Sequence, residues 1–442
     1  MESNKPLMNR WLVVVGAILI QLCLGAIYAW SVYTAALTKP LEEGGVYALT
    51  KSGSQLPFAI GLATFAVVMV LAGNWQKKVG PKIVAMIGGV LLGLGYILAG
   101  IAGTNLTMQV VLIGLVGGAG IGLAYVCPIA VGVKWFPDKK GLITGLAVAG
   151  FGFGATIWVK VAGGMFGWTG LMNTLNFAFC NNSGVQSTWF VYGIVYMVAV
   201  LIGSIWMVNP PDDYKPAGWE PPAPSAAVAT GAVEFNQWQM LKTPQFYMIW
   251  FCFIAGATAG LMVIGVIKLF GMDALQKTGV TLEAAKGYAD TAMGVFYALA
   301  NGLGRIAWGM ISDKIGRNRA IFLMCLIQGI AMLSFFFVGK WVWGLWLWAI
   351  VIGFNFGGNF ALYPAATADY FGNKNVGVNY GWMFTAYGVG GIVGPFVLTK
   401  KFTDLASASG AYGAWLWPFL IAGVLSIIAS IVILATQKPK PV

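Results

Sequence analysis

The stretch NGLGRIAWGMISDKIGR, Asn301 to Arg317, is apolar enough for the middle of a membrane, yet it carries Arg305 with Asn301 one helical turn ahead of it. Working outward, the chain is apolar on both sides. Its 442 residues are 59% hydrophobic and only 9% charged, with a mean hydropathy of +0.79, which water-soluble domains of this length do not approach. Apolar runs long enough to cross about 30 Å of hydrocarbon recur down the sequence. Twelve are expected, at residues 11–37, 55–75, 83–102, 108–133, 141–164, 189–209, 245–271, 291–311, 319–338, 342–366, 376–399 and 414–435. The expected class is an all-α polytopic membrane protein.

The net charge of +12 is a topology signal. With the amino terminus on the cytoplasmic side, 16 of the 26 Lys and Arg fall in loops on that side. Only Lys39, Lys51, Lys277, Lys286, Lys340, Lys400 and Lys401 fall in the opposite loops, and Lys160, Lys268 and Arg305 lie within spans. Basic residues concentrate in cytoplasmic loops, so both termini are expected in the cytoplasm and nucleic acid is not implied. Four of the five cysteines, Cys23, Cys127, Cys252 and Cys325, lie in spans, and Cys180 stands alone in an external loop, so no disulfide framework is expected. The first span is too long for a signal-peptide core and lacks a convincing cleavage site, so it is expected to stay in the mature protein.

Six spans precede the one long polar connection and six follow it. That connection, residues 210–243, is rich in Pro and Ala with scattered charges, a linker composition. The expected division is a six-helix bundle over 1–209, a cytoplasmic linker over 210–243 and a second six-helix bundle over 244–442. A weak repeat supports it. GNWQKKVGPK (Gly73 to Lys82) follows the second span and GMISDKIGRNR (Gly309 to Arg319) follows the eighth, with two glycines seven apart in each. One basic turn is thus used twice, as in parallel repeats.

With this layout, the G-x-x-x-D-x-x-G-R pattern at Gly309, Asp313, Gly316 and Arg317 makes the chain resemble the major facilitator superfamily over essentially its full length. More narrowly, GAIYAWSV (Gly25 to Val32), GIGLAYVCPIAVGVKWFPDKKGLITGLAVAGFGFGA (Gly120 to Ala155) and DYFGNKNVGVNYGWMFTAYGVGGIVGP (Asp369 to Pro395) are similar to the oxalate/formate antiporter family. That family is akin to the proton-linked monocarboxylate transporters. The resemblance implies alternating access of small organic anions, through a site between the two bundles, in the cell's inner membrane. The functional unit expected is a monomer without cofactors.

Arg305 is the first candidate for the site. About 15 residues into its span, it is too deep to reach either surface comfortably, so it should face a protein-lined cavity. Its guanidinium is a fork of donors matched to a carboxylate and keeps its proton. Asn301 lies on the same helix face. All 14 acidic residues fall in loops or at span ends, and there is no histidine. A proton coupled to transport would therefore have to travel with the substrate or through water near the arginine. Lys160 and Lys268, near the outer ends of the fifth and seventh spans, are expected to be anchors whose stems reach water, with an electrostatic funnel for anions as the alternative reading.

Tyr28 and Tyr125 are mid-membrane phenols that need hydroxyl partners. In the family resembled, their positions line the cavity, as do those of Phe151, Phe356, Asn359, Phe384 and Tyr387. Tyr387 marks a departure, because in the oxalate exchanger of that family a lysine occupies the corresponding place. A single central cation suits one negative charge, so lactate, pyruvate or formate is expected rather than a dianion. Asp313 and Arg317, with Arg319, are expected to act in a cytoplasmic gate, as the superfamily's motif implies.

Gly388 to Gly394, Gly114 to Gly122 and Gly150 to Gly154 set small residues at spacings that let helices approach and slide. None has the strand–turn–helix setting of a nucleotide loop, and no Walker motif occurs, so transport is expected to be secondary. An enzyme would need a metal cluster or a nucleophile with its base. A channel would repeat its selectivity element symmetrically, and a receptor would usually add a soluble domain. None of these features is visible in the sequence.

Overall fold

Backbone groups in hydrocarbon have no water to bond, so each apolar run closes its hydrogen bonds on itself as a helix. The computed structural model describes residues 8–50, 52–136, 140–164, 168–211, 214–216, 234–372, 375–399 and 412–439. Outside the described residues lie Lys5, Lys51, Lys139, Lys374, Lys400, Lys401 and Lys440 of the charge count, and most of the expected linker.

The long helices are α1 (Trp11–Leu37), α2 (Gly53–Val79), α3 (Pro81–Ile101), α4 (Leu106–Gly132), α5 (Lys140–Gly163) and α6 (Gly184–Ser204). After the connection come α7 (Pro244–Gln276), α8 (Ala298–Ile315), α9 (Arg317–Val338), α10 (Val342–Phe371), α11 (Val378–Leu398) and α12 (Leu416–Ala435). Among the described residues, 11 helices are long and apolar enough to cross a membrane, and α8 is not one of them. It is the helix that carries Asn301 and Arg305. A helix Leu282–Thr291 and a π-helical stretch Ala292–Tyr297 lead directly into it. The α7 helix runs further than its apolar stretch because its polar outer turns continue in helical form, and α10 likewise continues to Phe371.

Local chemistry sets several ends. Thr243 caps α7, its hydroxyl accepting from the Phe246 amide at 3.3 Å, and Pro244 occupies the first turn where no amide partner is needed. The repeated basic turns share one backbone conformation. Gly80 has φ +89° and Gly316 has φ +88°, in each case between two consecutive helices. A Cβ at either would meet nothing within 4 Å, so the left-handed conformation and not crowding demands glycine there. A proline also lies inside α4 (Pro128) and inside α10 (Pro364), and the chain interval between these prolines equals that between the glycines.

Packing follows the same correspondence. The α3 helix packs along α6 as α9 does along α12, α1 along α5 as α7 does along α11, and α2 along α4 as α8 does along α10. Between the earlier and later helices, α2 lies against α11, α5 against α8, and the outer part of α1 against α7. The described end of the connection is ordered. Phe235 is buried, its carbonyl accepts amide hydrogens from Asn375 at 3.1 Å and Asn379 at 3.0 Å, and Asn236 caps the short helix Gln237–Met240.

Candidate functional site

The centre of the molecule lies where α5 meets α8. The two backbones cross at glycines: a Cβ on Gly152 would stand 3.0 Å from Gly302 Cα and 3.3 Å from Arg305 Nε, and one on Gly302 would enter the Phe153 ring. Only hydrogen at these positions allows the approach. Arg305 is fully buried in this crossing. Its Nη1 donates to the Val148 carbonyl of α5 at 2.8 Å, and its Nε donates to Asn301 Oδ1 at 3.3 Å. The guanidinium carbon lies 3.9 Å from the centre of the Phe360 ring and 5.5 Å from that of Phe151. A desolvated cation on a ring face gains about 2 kcal/mol, less than the several kcal/mol that removing an ion from water costs. Among the described residues, no carboxylate is paired with it.

Two donors remain without an acceptor. Arg305 Nη2 and Asn301 Nδ2 are both buried and unpartnered, and they belong to side chains one turn apart on α8. Leaving a buried donor unmade costs about 1–3 kcal/mol, more for a charged one. The pair therefore has a strong thermodynamic demand for an oxygen acceptor bearing negative charge.

Aromatic side chains enclose this centre. The Tyr28 hydroxyl of α1 and the Tyr387 hydroxyl of α11 share a hydrogen bond of 2.9 Å. The phenols of Tyr28 and Tyr125 face the guanidinium. Tyr28 meets Phe151 edge-on at 4.9 Å and Phe356 at 5.7 Å, and Tyr125 meets Phe151 at 5.3 Å and Phe384 at 5.7 Å. Phe384 stacks on Tyr387 at 4.9 Å. Eight of the nine expected binding residues thus gather in one cluster. Asn359 faces elsewhere, its Nδ2 donating to the Phe356 carbonyl at 2.9 Å and its Oδ1 standing 2.5 Å from where Gly256 of α7 would carry a Cβ.

Sequence reasoning passed over three members of the cluster. Phe360 is the ring nearest the cation, Phe65 of α2 touches Phe151, Tyr125, Phe384 and Tyr387, and the Val148 carbonyl is the guanidinium's shortest partner. Phe360 had a signal, since it lies four residues after Phe356 and shares its helix face. A backbone carbonyl has none.

At the terminus-bearing end, Arg317 joins α9 to its neighbours. Its Nη2 pairs with Asp313 at 2.7 Å, its Nη1 with the Ser312 hydroxyl, and its Nε donates to Asp369 of α10 at 3.1 Å. Asp369 was not among the expected gate residues. All of these residues lie on α8, α9 and α10, so among the described residues these charged contacts tie the later helices to one another. Arg319 is exposed. A hollow of ≈ 570 Å³ beside Arg317 is lined by Arg319, Asp369, Tyr370 and Lys438, well away from Arg305.

At the opposite end the expectation for Lys268 is corrected. It is buried and pairs with Asp290 at 2.6 Å instead of reaching water, because the helix leading into α8 brings a carboxylate against α7. Lys160 is half-buried, its Cε within 3.5 Å of the Cβ position of Gly294.

Comparison with known proteins agrees with this architecture. The model of the Major Facilitator Superfamily matches residues 10–395. The chain is 29% identical to an uncharacterised MFS-type transporter of Escherichia coli, covering 87% of this chain and 86% of that protein. It is 25% identical to the oxalate:formate antiporter of Oxalobacter formigenes, over 97% and 91% of the two chains. It is also 25% identical to apicoplast pyruvate carrier 1 of Toxoplasma gondii, over 87% and 82%. These relatives are named as transporters and carriers, not enzymes. With apolar helices that repeatedly span a membrane and a family match over most of its length, the chain is a multi-pass membrane protein that belongs to the major facilitator superfamily.

Proposed function

We propose that the protein is a secondary active transporter of small monocarboxylates such as lactate, pyruvate or formate, and that Arg305 is the carboxylate's counter-ion. The observation that carries this reading is the pair of unpartnered buried donors, Arg305 Nη2 and Asn301 Nδ2, on one face of α8. A carboxylate has two oxygens in the spacing that adjacent donors require. The surrounding rings suit a short carbon chain and offer no second cation for a dianion.

In this reading α8 is the eighth of twelve spans, in two six-helix bundles (1–209 and 244–442) joined by 210–243. Both termini face the cytoplasm, the membrane is the cell's inner membrane, and one chain is the functional unit. The paired helix contacts and the matching Gly80 and Gly316 turns support two repeats. Alternating access is a rocking of one bundle against the other about the α5–α8 and α2–α11 contacts. Arg305 spans that boundary through Val148, and the Tyr28–Tyr387 bond spans it a second time. A carboxylate held by Arg305 neutralises the site, which lets the bundles close around it in low dielectric.

The mode proposed is symport with a proton. Exchange of one carboxylate for another is the second reading, favoured by the full-length likeness to a protein named as an oxalate:formate antiporter. Uptake of radiolabelled lactate, pyruvate and formate into vesicles distinguishes the two. An inward proton gradient stimulating uptake without internal substrate supports symport, whereas an absolute need for internal carboxylate supports exchange. Normal uptake by Arg305→Ala would refute the site in either mode.

A further inference from the structure

Tyr297, Asn301 and Arg305 follow one another at four-residue steps where the π-helical stretch Ala292–Tyr297 runs into α8. Side chains four apart lie one above the other on a helix face, and single π-helical turns are frequent at functional sites. Tyr297 is fully buried. Its main chain is closely held, since a Cβ on Gly353 of α10 would stand 2.5 Å from its carbonyl oxygen. Its ring lies 6.2 Å from that of Phe356, which in turn meets Tyr28. The Arg305 guanidinium and the Tyr28 phenol both act electrostatically on its hydroxyl.

The bond this hydroxyl makes decides what it can offer. Tyr297 Oη donates to the Gly260 carbonyl of α7 at 3.0 Å. Gly260 belongs to the wall of the cluster, because a Cβ there would enter the Phe356 ring. A phenol has one proton, and this one is committed to the main chain, so the oxygen has only lone pairs left. Arg305 Nη2 and Asn301 Nδ2 are orphaned donors, and Tyr297 adds an acceptor one turn further along the same helix. The Tyr28–Tyr387 bond is different. It uses one of two phenolic protons and leaves the other to donate to an oxygen of any acid. Donors for a carboxylate next to a pure acceptor match a carboxylic acid with a hydroxyl on the adjacent carbon. A 2-oxo acid has only acceptors there, and an unsubstituted acid has no polar group at all.

We propose that Tyr297 is a specificity-determining residue, which accepts a hydrogen bond from the hydroxyl of a 2-hydroxy monocarboxylate held by Arg305 and Asn301. This rests on the monocarboxylate reading above and narrows it to the hydroxy acids. The levels of Tyr297 and Asn301 differ by one helical turn, about 5.4 Å. A three-carbon acid bridges that interval with its carboxylate toward Asn301 and Arg305 and its hydroxyl toward Tyr297. A 2-oxo acid in the same pose sets two acceptor oxygens against each other, and neither is satisfied.

Uptake of radiolabelled lactate and pyruvate by vesicles holding wild type or Tyr297→Phe, at matched protein levels, tests it. The wild type should take up lactate at low concentration faster than pyruvate, by about fivefold, the size of one neutral hydrogen bond. Tyr297→Phe keeps the ring and loses the oxygen. It should raise the KM for lactate about fivefold and leave the KM for pyruvate unchanged or lower. Equal losses for the two acids would mean that the hydroxyl only braces α7, and would overturn the proposal, as would an unchanged ratio between them. Should the variant fail to fold, competition against wild-type lactate uptake decides. Unlabelled 2-hydroxybutyrate should inhibit more strongly than 2-oxobutyrate or butyrate, and equal inhibition by all three overturns the proposal. Normal uptake of both acids by folded Arg305→Ala would instead refute the carboxylate site itself, so the two failures are separable.

Discussion

Arg305 Nη1 on α8 donates a hydrogen bond of 2.8 Å to the backbone carbonyl of Val148 on α5. A fully buried charge of the later helices is thereby anchored to the main chain of the earlier ones, at the glycine crossing of α5 and α8. Lysine cannot reproduce this arrangement. As a single ammonium it lacks the planar fork needed to bond Val148, Asn301 and a carboxylate together. Arg305→Lys should therefore lose about tenfold or more in uptake at low substrate, while thermal unfolding of the purified protein shows a folded state. Uptake within twofold of wild type would mean that charge alone suffices.

The Tyr28–Tyr387 bond joins α1 to α11 across the same boundary. A neutral hydrogen bond is worth about 1 kcal/mol, equivalent to roughly a fivefold change in KM. Tyr28→Phe and Tyr387→Phe should each show a change of that size, and the double variant should be little worse than either, since one bond is lost in all three. Additive losses would show that the hydroxyls act separately.

Gly152 and Gly302 set the α5–α8 distance. Gly302→Ala would drive a methyl into the Phe153 ring, and overpacking of this kind costs about 1–3 kcal/mol. Transport should fall steeply and the unfolding temperature should drop. Gly316→Ala tests a contrasting cause. It meets no atoms but must hold φ at +88°, so it should cost about 1 kcal/mol or more without altering KM.

The ion pairs of Arg317, expected from the sequence motif to act in a gate, are partly exposed, Asp313 at 63% and Asp369 at 44% of the side chain. Exposed ion pairs contribute about 0–1 kcal/mol. Asp369→Asn should therefore change stability by less than that and leave substrate preference unaltered, while shifting the accessibility of a cysteine placed on the α10 end. A changed preference among lactate, pyruvate and formate would contradict the assignment of this cluster to gating.

Much of this was legible in the sequence because a bilayer forces hydrophobicity and length together: α3, α9 and α12 follow directly from their apolar runs. Arg305 and Asn301 were legible for the same reason, as the polar residues that the rule does not permit without cause. The partners were not. Nothing in the order of residues places the Val148 carbonyl under Arg305, or Phe65 against Tyr125, since those contacts depend on how each helix is rotated about its axis. Lys268 was misjudged for a related reason. Its partner Asp290 is distant in sequence and outside the apolar run, and only the lead-in helix to α8 brings it close. The matched prolines, Pro128 and Pro364, were a visible repeat signal that the basic turns overshadowed.

The central claim is that Arg305 is the counter-ion of a carboxylate. Uptake of radiolabelled lactate, pyruvate and formate by vesicles holding Arg305→Ala, at protein levels matched to wild type, tests it most directly. Removing one partner of a buried charge pair costs about 2–5 kcal/mol, so the rate at low substrate should fall by about 30-fold or more for every acid. Uptake within twofold of wild type by folded Arg305→Ala would contradict the account.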